Sequence, residues 1–97
     1  MTVARQYVLN AAEGRGAALE AALRDLAAMV RLTPGCDGVE ILRDVRAPDR
    51  FIFVEKWTSI EAHKGAAEHL PKDAFAPVMA TIGEKPAATY LEYLQTA

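Results

Sequence analysis

Apolar positions along the 97-residue chain recur with two periods, two residues and about 3.6, and the switches between them divide it into elements. From Thr2 to Leu9 the run is extended in character, with Val3, Tyr7 and Leu9 on one face and Thr2, Ala4, Gln6 and Val8 on the other, which predicts a first strand. From Arg15 the spacing lengthens. Leu19, Leu23, Leu26 and Val30 form one helical stripe, Glu20, Arg24, Asp25 and Arg31 lie off it, and the intervening alanines favour the same state. Pro34-Gly35 ends this helix near Leu32. Val39 to Val45 alternates as a second strand, and Ala47-Pro48-Asp49 has the residues of a reverse turn. The β-branched and aromatic run Phe51 to Trp57 makes a third strand, so the two pair as a hairpin.

Thr58 is expected to open a second helix, with Glu61 three residues later completing a capping box. Its stripe runs through Ile60, His63, Ala67 and Leu70. Phe75, Val78, Met79 and Ile82 keep helical spacing as far as Gly83, while Pro71 and Pro77 break the segment into two short pieces joined by a kink. Ala88 to Gln95 alternates as a fourth strand, pairing Leu91 with Tyr93 on one face and Tyr90 with Leu94 on the other.

The order β-α-β-β-α-β, with no linker or repeat, predicts one α+β domain over residues 1–97, of ferredoxin-like plan with an antiparallel sheet. Both helices then lie on one sheet face. The other face is far from uniformly polar, so the expected partner is a second copy packed sheet to sheet as a homodimer. A domain this small buries only about 60 to 65% of its unfolded surface, which a partner subunit would improve.

Composition narrows the function classes. Hydrophobic residues make up 52% and charged residues 25%, as in a globular domain. A net charge of −2, with Lys and Arg scattered, leaves no basic field for nucleic acid. No apolar run approaches the ~18 to 20 residues that span a bilayer, and Met1 to Asn10 lacks the layout of a signal peptide, so the expected setting is the cytoplasm with no membrane partner. Cys36, the single cysteine, has no intrachain disulfide partner and sits in a turn without an activating base.

Several short motifs fall in order along this frame: Pro34-Gly35-Cys36-x-Gly38, then Phe53-x-Glu55-x-Trp57-x-Ser59 running into Glu61-Ala62-His63, then His69 and Phe75. Together they resemble the antibiotic biosynthesis monooxygenase family over nearly the whole chain. The resemblance implies a dimeric α+β barrel with a pocket in each subunit between helices and sheet. It also implies a range of chemistries: cofactor-free oxidation of quinols and polycyclic phenols, haem degradation, or no assigned reaction. Similar sequences place two histidines five apart on the second helix, whereas here His63 and His69 are six apart.

The candidate chemistry rests on few residues. His63 and His69, six positions apart, point about 120° away from one another on a helix and cannot share a metal, so no metal site is expected; Gly14 and Gly16 lack the further spacing of a dinucleotide or phosphate loop, and no cofactor is expected. His69 and His63 are the candidate bases. His63, on the apolar stripe, also reads as a hydrogen-bonded core histidine, and His69, at the helix end, as a solvent-facing one. Trp57 and Glu55 share one face of the third strand, where the indole offers a flat wall for a planar aromatic ligand; the plainer alternative is ordinary core with a paired carboxylate. Phe75, Asn10 and Tyr7 complete the candidate substrate-binding set. Asn10 is placed to hydrogen-bond a carbonyl or an oxygen species, or simply a turn, and a tyrosine hydroxyl to orient a phenol.

The function this supports is oxidation of a small phenol or quinol by dioxygen, with a histidine of ordinary pKa near 6.5 as base and the substrate as its own reductant. Two rivals stand beside it. A haem-degrading relative would use Asn10, Trp57 and His69. A non-catalytic small-molecule-binding module would keep the fold without the reaction, as the irregular histidine spacing suggests.

Overall fold

The computed structural model describes residues 1–97, and its elements follow the expected order: β1 (Val3–Asn10), α1 (Gly16–Val30), β2 (Cys36–Arg43), β3 (Arg50–Trp57), α2 (Ile60–Gly65), a 3-10 turn (Ala66–His69), α3 (Ala76–Met79) and β4 (Ala87–Glu92). The four strands form one antiparallel sheet in the order β2-β3-β1-β4, the ferredoxin-like arrangement. No helix is long and apolar enough to cross a membrane.

Register assigns every strand residue to a face. Val3 lies opposite Trp57, Arg5 opposite Glu55, Tyr7 opposite Phe53 and Leu9 opposite Phe51, while Arg5 also faces Tyr90 on β4. Directly opposed residues share a face, so this set points toward the helices. Against it packs the α1 stripe of Leu19, Leu23, Leu26 and Val30, all buried. Each of these side chains contributes about 1.5–3 kcal/mol by leaving water, which is what fastens α1 across the sheet. The intervening positions Val8, Ile52 and Val54, with Leu42 and Leu91 (51% and 44% exposed), form the opposite face, which no element of the chain covers.

Element ends depart from the sequence pattern for local reasons. The second strand ends at Arg43 instead of Val45 because the Asp44 carboxylate accepts the N–H groups of Arg46 and Ala47 (2.8 and 3.1 Å), turning the chain and leaving Val45 exposed. The fourth ends at Glu92, which pairs with the first residue of β1, so Tyr93 to Gln95 have no further strand to pair with. The second helix is capped by Ser59, whose Oγ accepts the Ala62 N–H at 3.0 Å, and not by Thr58; Glu61 therefore stands one position too early for the reciprocal bond. Where two pieces were expected, three short ones occur. Leu70 is extended, as the residue before a proline prefers, and this separates the 3-10 turn from α3.

One glycine seats α2. Gly35 has φ +85°, and a Cβ there would stand 2.7 Å from the Ala62 Cβ. The absent side chain lets α2 settle on the start of β2, and that docking brings His63 over the sheet.

Candidate functional site

At the α2 end of the sheet, side chains from four elements converge. Trp57 and Glu55, two apart on β3, point the same way, and the indole Nε1–H donates to Glu55 Oε1 at 3.0 Å. His63 on α2 sits above them, its Nε2 3.8 Å from Glu55 Oε1 and its ring edge-on to the indole at 5.6 Å. Tyrosine hydroxyls engage both of its nitrogens: Tyr7 Oη lies 3.1 Å from Nε2, and Tyr90 Oη 2.6 Å from Nδ1. The guanidinium of Arg5 stacks over the Tyr90 ring at 4.2 Å and near the Tyr7 ring at 5.2 Å, and its buried Nε has no hydrogen-bond partner.

Burial sets the charges. Glu55 is 3% exposed, and loss of water pushes its pKa up to about 7, against the lowering effects of the Trp57 bond and the Arg5 charge. Desolvation also lowers the His63 pKa, with the Arg5 and Lys64 charges adding to it. Despite their proximity, Glu55 and His63 are therefore not a fixed ion pair near neutrality: a neutral imidazole stands beside a carboxyl close to its midpoint. Burial raises the Tyr7 pKa, helped by the nearby Glu55, so its hydroxyl keeps its proton.

Two cavities open beside this cluster. One, of about 170 Å³, is lined by Tyr7, Glu55, Trp57, His63, Leu70 and Phe75 among others; the second, of about 130 Å³, runs between α1 and the sheet past Leu9, Leu23, Phe53 and Val78. Tyr7, Glu55 and Phe75 border both, so the cavities lie back to back. Each is close to the ~150 Å³ that accommodates a benzene ring. The largest concavity, about 570 Å³, is an open groove between α1 and β2 whose Arg24 and Arg43 are tied to Glu20. Its one carboxylate, Glu20, is taken up by these two ion pairs, so size alone does not mark the site.

A family model for antibiotic biosynthesis monooxygenase matches residues 2–76. The chain belongs to that family. Among solved structures, this antibiotic biosynthesis monooxygenase family member is similar to Rv0793 from Mycobacterium tuberculosis (20% identity, TM-score 0.84, covering 100% of this chain and 99% of that one). It is also similar to SnoaB, a cofactor-independent oxygenase from Streptomyces nogalater (18% identity, TM-score 0.84, 98% and 95% covered). A third is a protein from Chloroflexus aurantiacus that carries the same family name (26% identity, TM-score 0.78, 100% and 98% covered). None of the curated proteins matches the sequence.

Of the residues singled out in the sequence, the fold brings Tyr7, Glu55, Trp57, His63 and Phe75 to the cavities of this family member. It does not bring His69 or Asn10. His69 ends the 3-10 turn, exposed, and lines neither cavity: the chain leaves the α-helix at Gly65 and the tighter turn carries the second histidine outward. Asn10 lies opposite Arg50, on the parity that points away from the helices, and its amide binds Glu84 (3.2 Å) and Arg50 (3.4 Å) at the surface. The Asn, Trp and His that a haem-degrading site would bring together are therefore apart. Arg5 and Tyr90 gave little signal in the sequence. Register places Arg5 between Glu55 on one side and Tyr90 on the other, all three on the helix-facing side of the sheet, which no single segment reveals.

Proposed function

We propose that this protein is a cofactor-independent monooxygenase oxidising a small phenol or hydroquinone with dioxygen, with the His63–Glu55 pair as its base. The observation that carries this reading is the His63 imidazole and Glu55 carboxyl, 3.8 Å apart, on the wall of a cavity sized for an aromatic ring and faced by Trp57, where burial lowers the histidine pKa and raises that of the carboxyl. Ionising the substrate breaks its O–H bond and leaves an electron-rich phenolate. That anion passes one electron to dioxygen, the resulting radical and superoxide combine at a carbon that bears hydrogen, the peroxide anion takes the proton back from the imidazolium, and the C–H and O–O bonds of the hydroperoxide break as water leaves and a new carbonyl remains. The substrate thus supplies the electrons. Glu55, when ionised, stabilises the imidazolium that forms. The likeness to SnoaB, itself a cofactor-independent oxygenase, supports the same reading.

The open sheet face, on the side away from the cavities, needs cover of its own. Val8, Ile52, Val54, Leu42 and Leu91 offer an aliphatic surface, and Glu40 and Lys56 balance each other on it, so two copies present no net repulsion. We place a second copy of the chain there, packed sheet to sheet.

The test is oxygen consumption by metal-stripped protein with a panel of hydroquinones and anthrone-type phenols, autoxidation subtracted. Uptake that His63→Ala abolishes is expected. Tight aromatic binding with no uptake would instead establish a binding module, and a Soret band on adding haem would establish the haem reading.

A further inference from the structure

A base whose two nitrogens are both engaged cannot meet a substrate directly. His63 is in that position, held by Tyr7 Oη on Nε2 and Tyr90 Oη on Nδ1. Glu55 Oε1 is likewise occupied by the Trp57 indole N–H. The Tyr7 hydroxyl joins the two halves: its side chain borders both cavities, and its oxygen contacts the histidine. Resting on the phenol-oxidising reading of this site, we infer that Tyr7 is the catalytic residue that meets the phenolic O–H, taking the substrate proton on its oxygen while passing its own proton to His63 Nε2.

The transfer balances. The substrate O–H bond and the Tyr7 O–H bond break, a new Tyr7 O–H and a new Nε2–H form, and the products are a phenolate and an imidazolium beside Glu55. Tyr7 is neutral before and after, in keeping with the raised pKa of its buried hydroxyl. The direction requires the resting imidazole to carry its proton on Nδ1, donating to Tyr90 Oη. Tyr90, with Arg5 over its ring, is then a positioning residue that fixes this tautomer. The titratable and charged groups facing Tyr7 are Arg5 on its own strand, Glu55 on β3, His63 and Lys64 on α2, and Tyr90 on β4.

After transfer, the Tyr7 O–H donates to the phenolate, a charge-assisted bond that lowers the ionisation midpoint of a bound phenol. The probe is 4-nitrophenol, whose phenolate absorbs at longer wavelength than the phenol and which resists oxidation by dioxygen. Tyr7→Phe keeps the ring against Phe53 (centroids 6.3 Å) and removes only the hydroxyl. In the wild-type complex the midpoint should lie about one to two pH units below that of the Tyr7→Phe complex, with affinity for the neutral phenol weakened by no more than about tenfold. His63→Gln, which removes the proton acceptor, should raise the midpoint by a similar amount. Coincident midpoints for wild type and Tyr7→Phe would overturn the inference and send the proton directly to Glu55. Absence of nitrophenol binding to the wild type would overturn it as well. If nitrophenol ionises through Tyr7 while no panel compound consumes oxygen, the relay stands and the oxygenase reading falls; if oxygen is consumed while the Tyr7→Phe midpoint is unshifted, the relay falls and the oxygenase reading stands.

Discussion

Replacing Glu55 by glutamine keeps an oxygen in place to accept the Trp57 N–H (3.0 Å) and removes the charge alone. The buried carboxyl holds its proton up to about 7, against an ordinary value of 4.5, so as pH rises the unfolded chain gives up this proton first. In that window the folded state binds more protons, and stability falls with rising pH. From 4.5 to about 7, at about 1.4 kcal/mol per pH unit, the loss accumulates to about 3 kcal/mol by about pH 8. His63 acts in the opposite sense. Its pKa is lowered from 6.5, so the stability it contributes is present above 6.5 and is lost as pH falls through its folded value. Wild type should therefore weaken on going from about pH 5 to about pH 8, while Glu55→Gln, left with the histidine term alone, should hold or strengthen. Urea unfolding at fixed protein concentration, repeated across that range, measures the difference between the two. A difference that stays constant with pH would refute the account of Glu55 as a carboxyl neutralised by burial.

Four further substitutions separate the parts of the fold. His63→Ala should abolish oxygen uptake, whereas His69→Ala, an exposed change, should leave both uptake and unfolding midpoint within about 0.5 kcal/mol of wild type; loss of uptake in the latter would return the base to His69. Gly35→Ala should cost at least about 2 kcal/mol by thermal melting, since it combines a positive φ with a 2.7 Å approach to the Ala62 Cβ, and an unchanged melt would show that α2 is seated otherwise. Val54→Asp, on the uncovered sheet face, should shift the light-scattering mass from dimer to monomer; a mass of one chain for the wild type would contradict sheet-to-sheet pairing.

The pocket shows why a small domain can host proton chemistry. Three strands and one helix each lend a polar side chain to a place walled by Trp57 and Val30, and the same loss of water that stabilises the core raises the Glu55 pKa to about 7 and lowers that of His63. Phe75, 45% exposed, borders both cavities from the N-terminal end of α3, where its carbonyl accepts the Met79 N–H at 3.0 Å.

The order of elements was legible in the sequence because hydrophobic period is a local property: the alternation through Phe51 to Trp57 and the Leu19–Val30 stripe name their own element and their own buried face. The same parity put Glu55 and Trp57 together, and it shows why Asn10 had to miss, since an even position on β1 faces away from Tyr7. Helix ends and strand ends were less legible, because they depend on which side chain captures a free backbone N–H, as Ser59 and Asp44 do. Which of His63 and His69 lines the cavity lay beyond the sequence altogether. It turns on the change from α-helix to 3-10 turn after Gly65 and on the docking of α2 against Gly35, and both are settled by packing between segments distant in the chain. Cross-strand register, which sets Arg5 between Glu55 and Tyr90, and the loss of water that retunes Glu55 and His63 are likewise properties of the folded neighbourhood, which no single segment carries by itself.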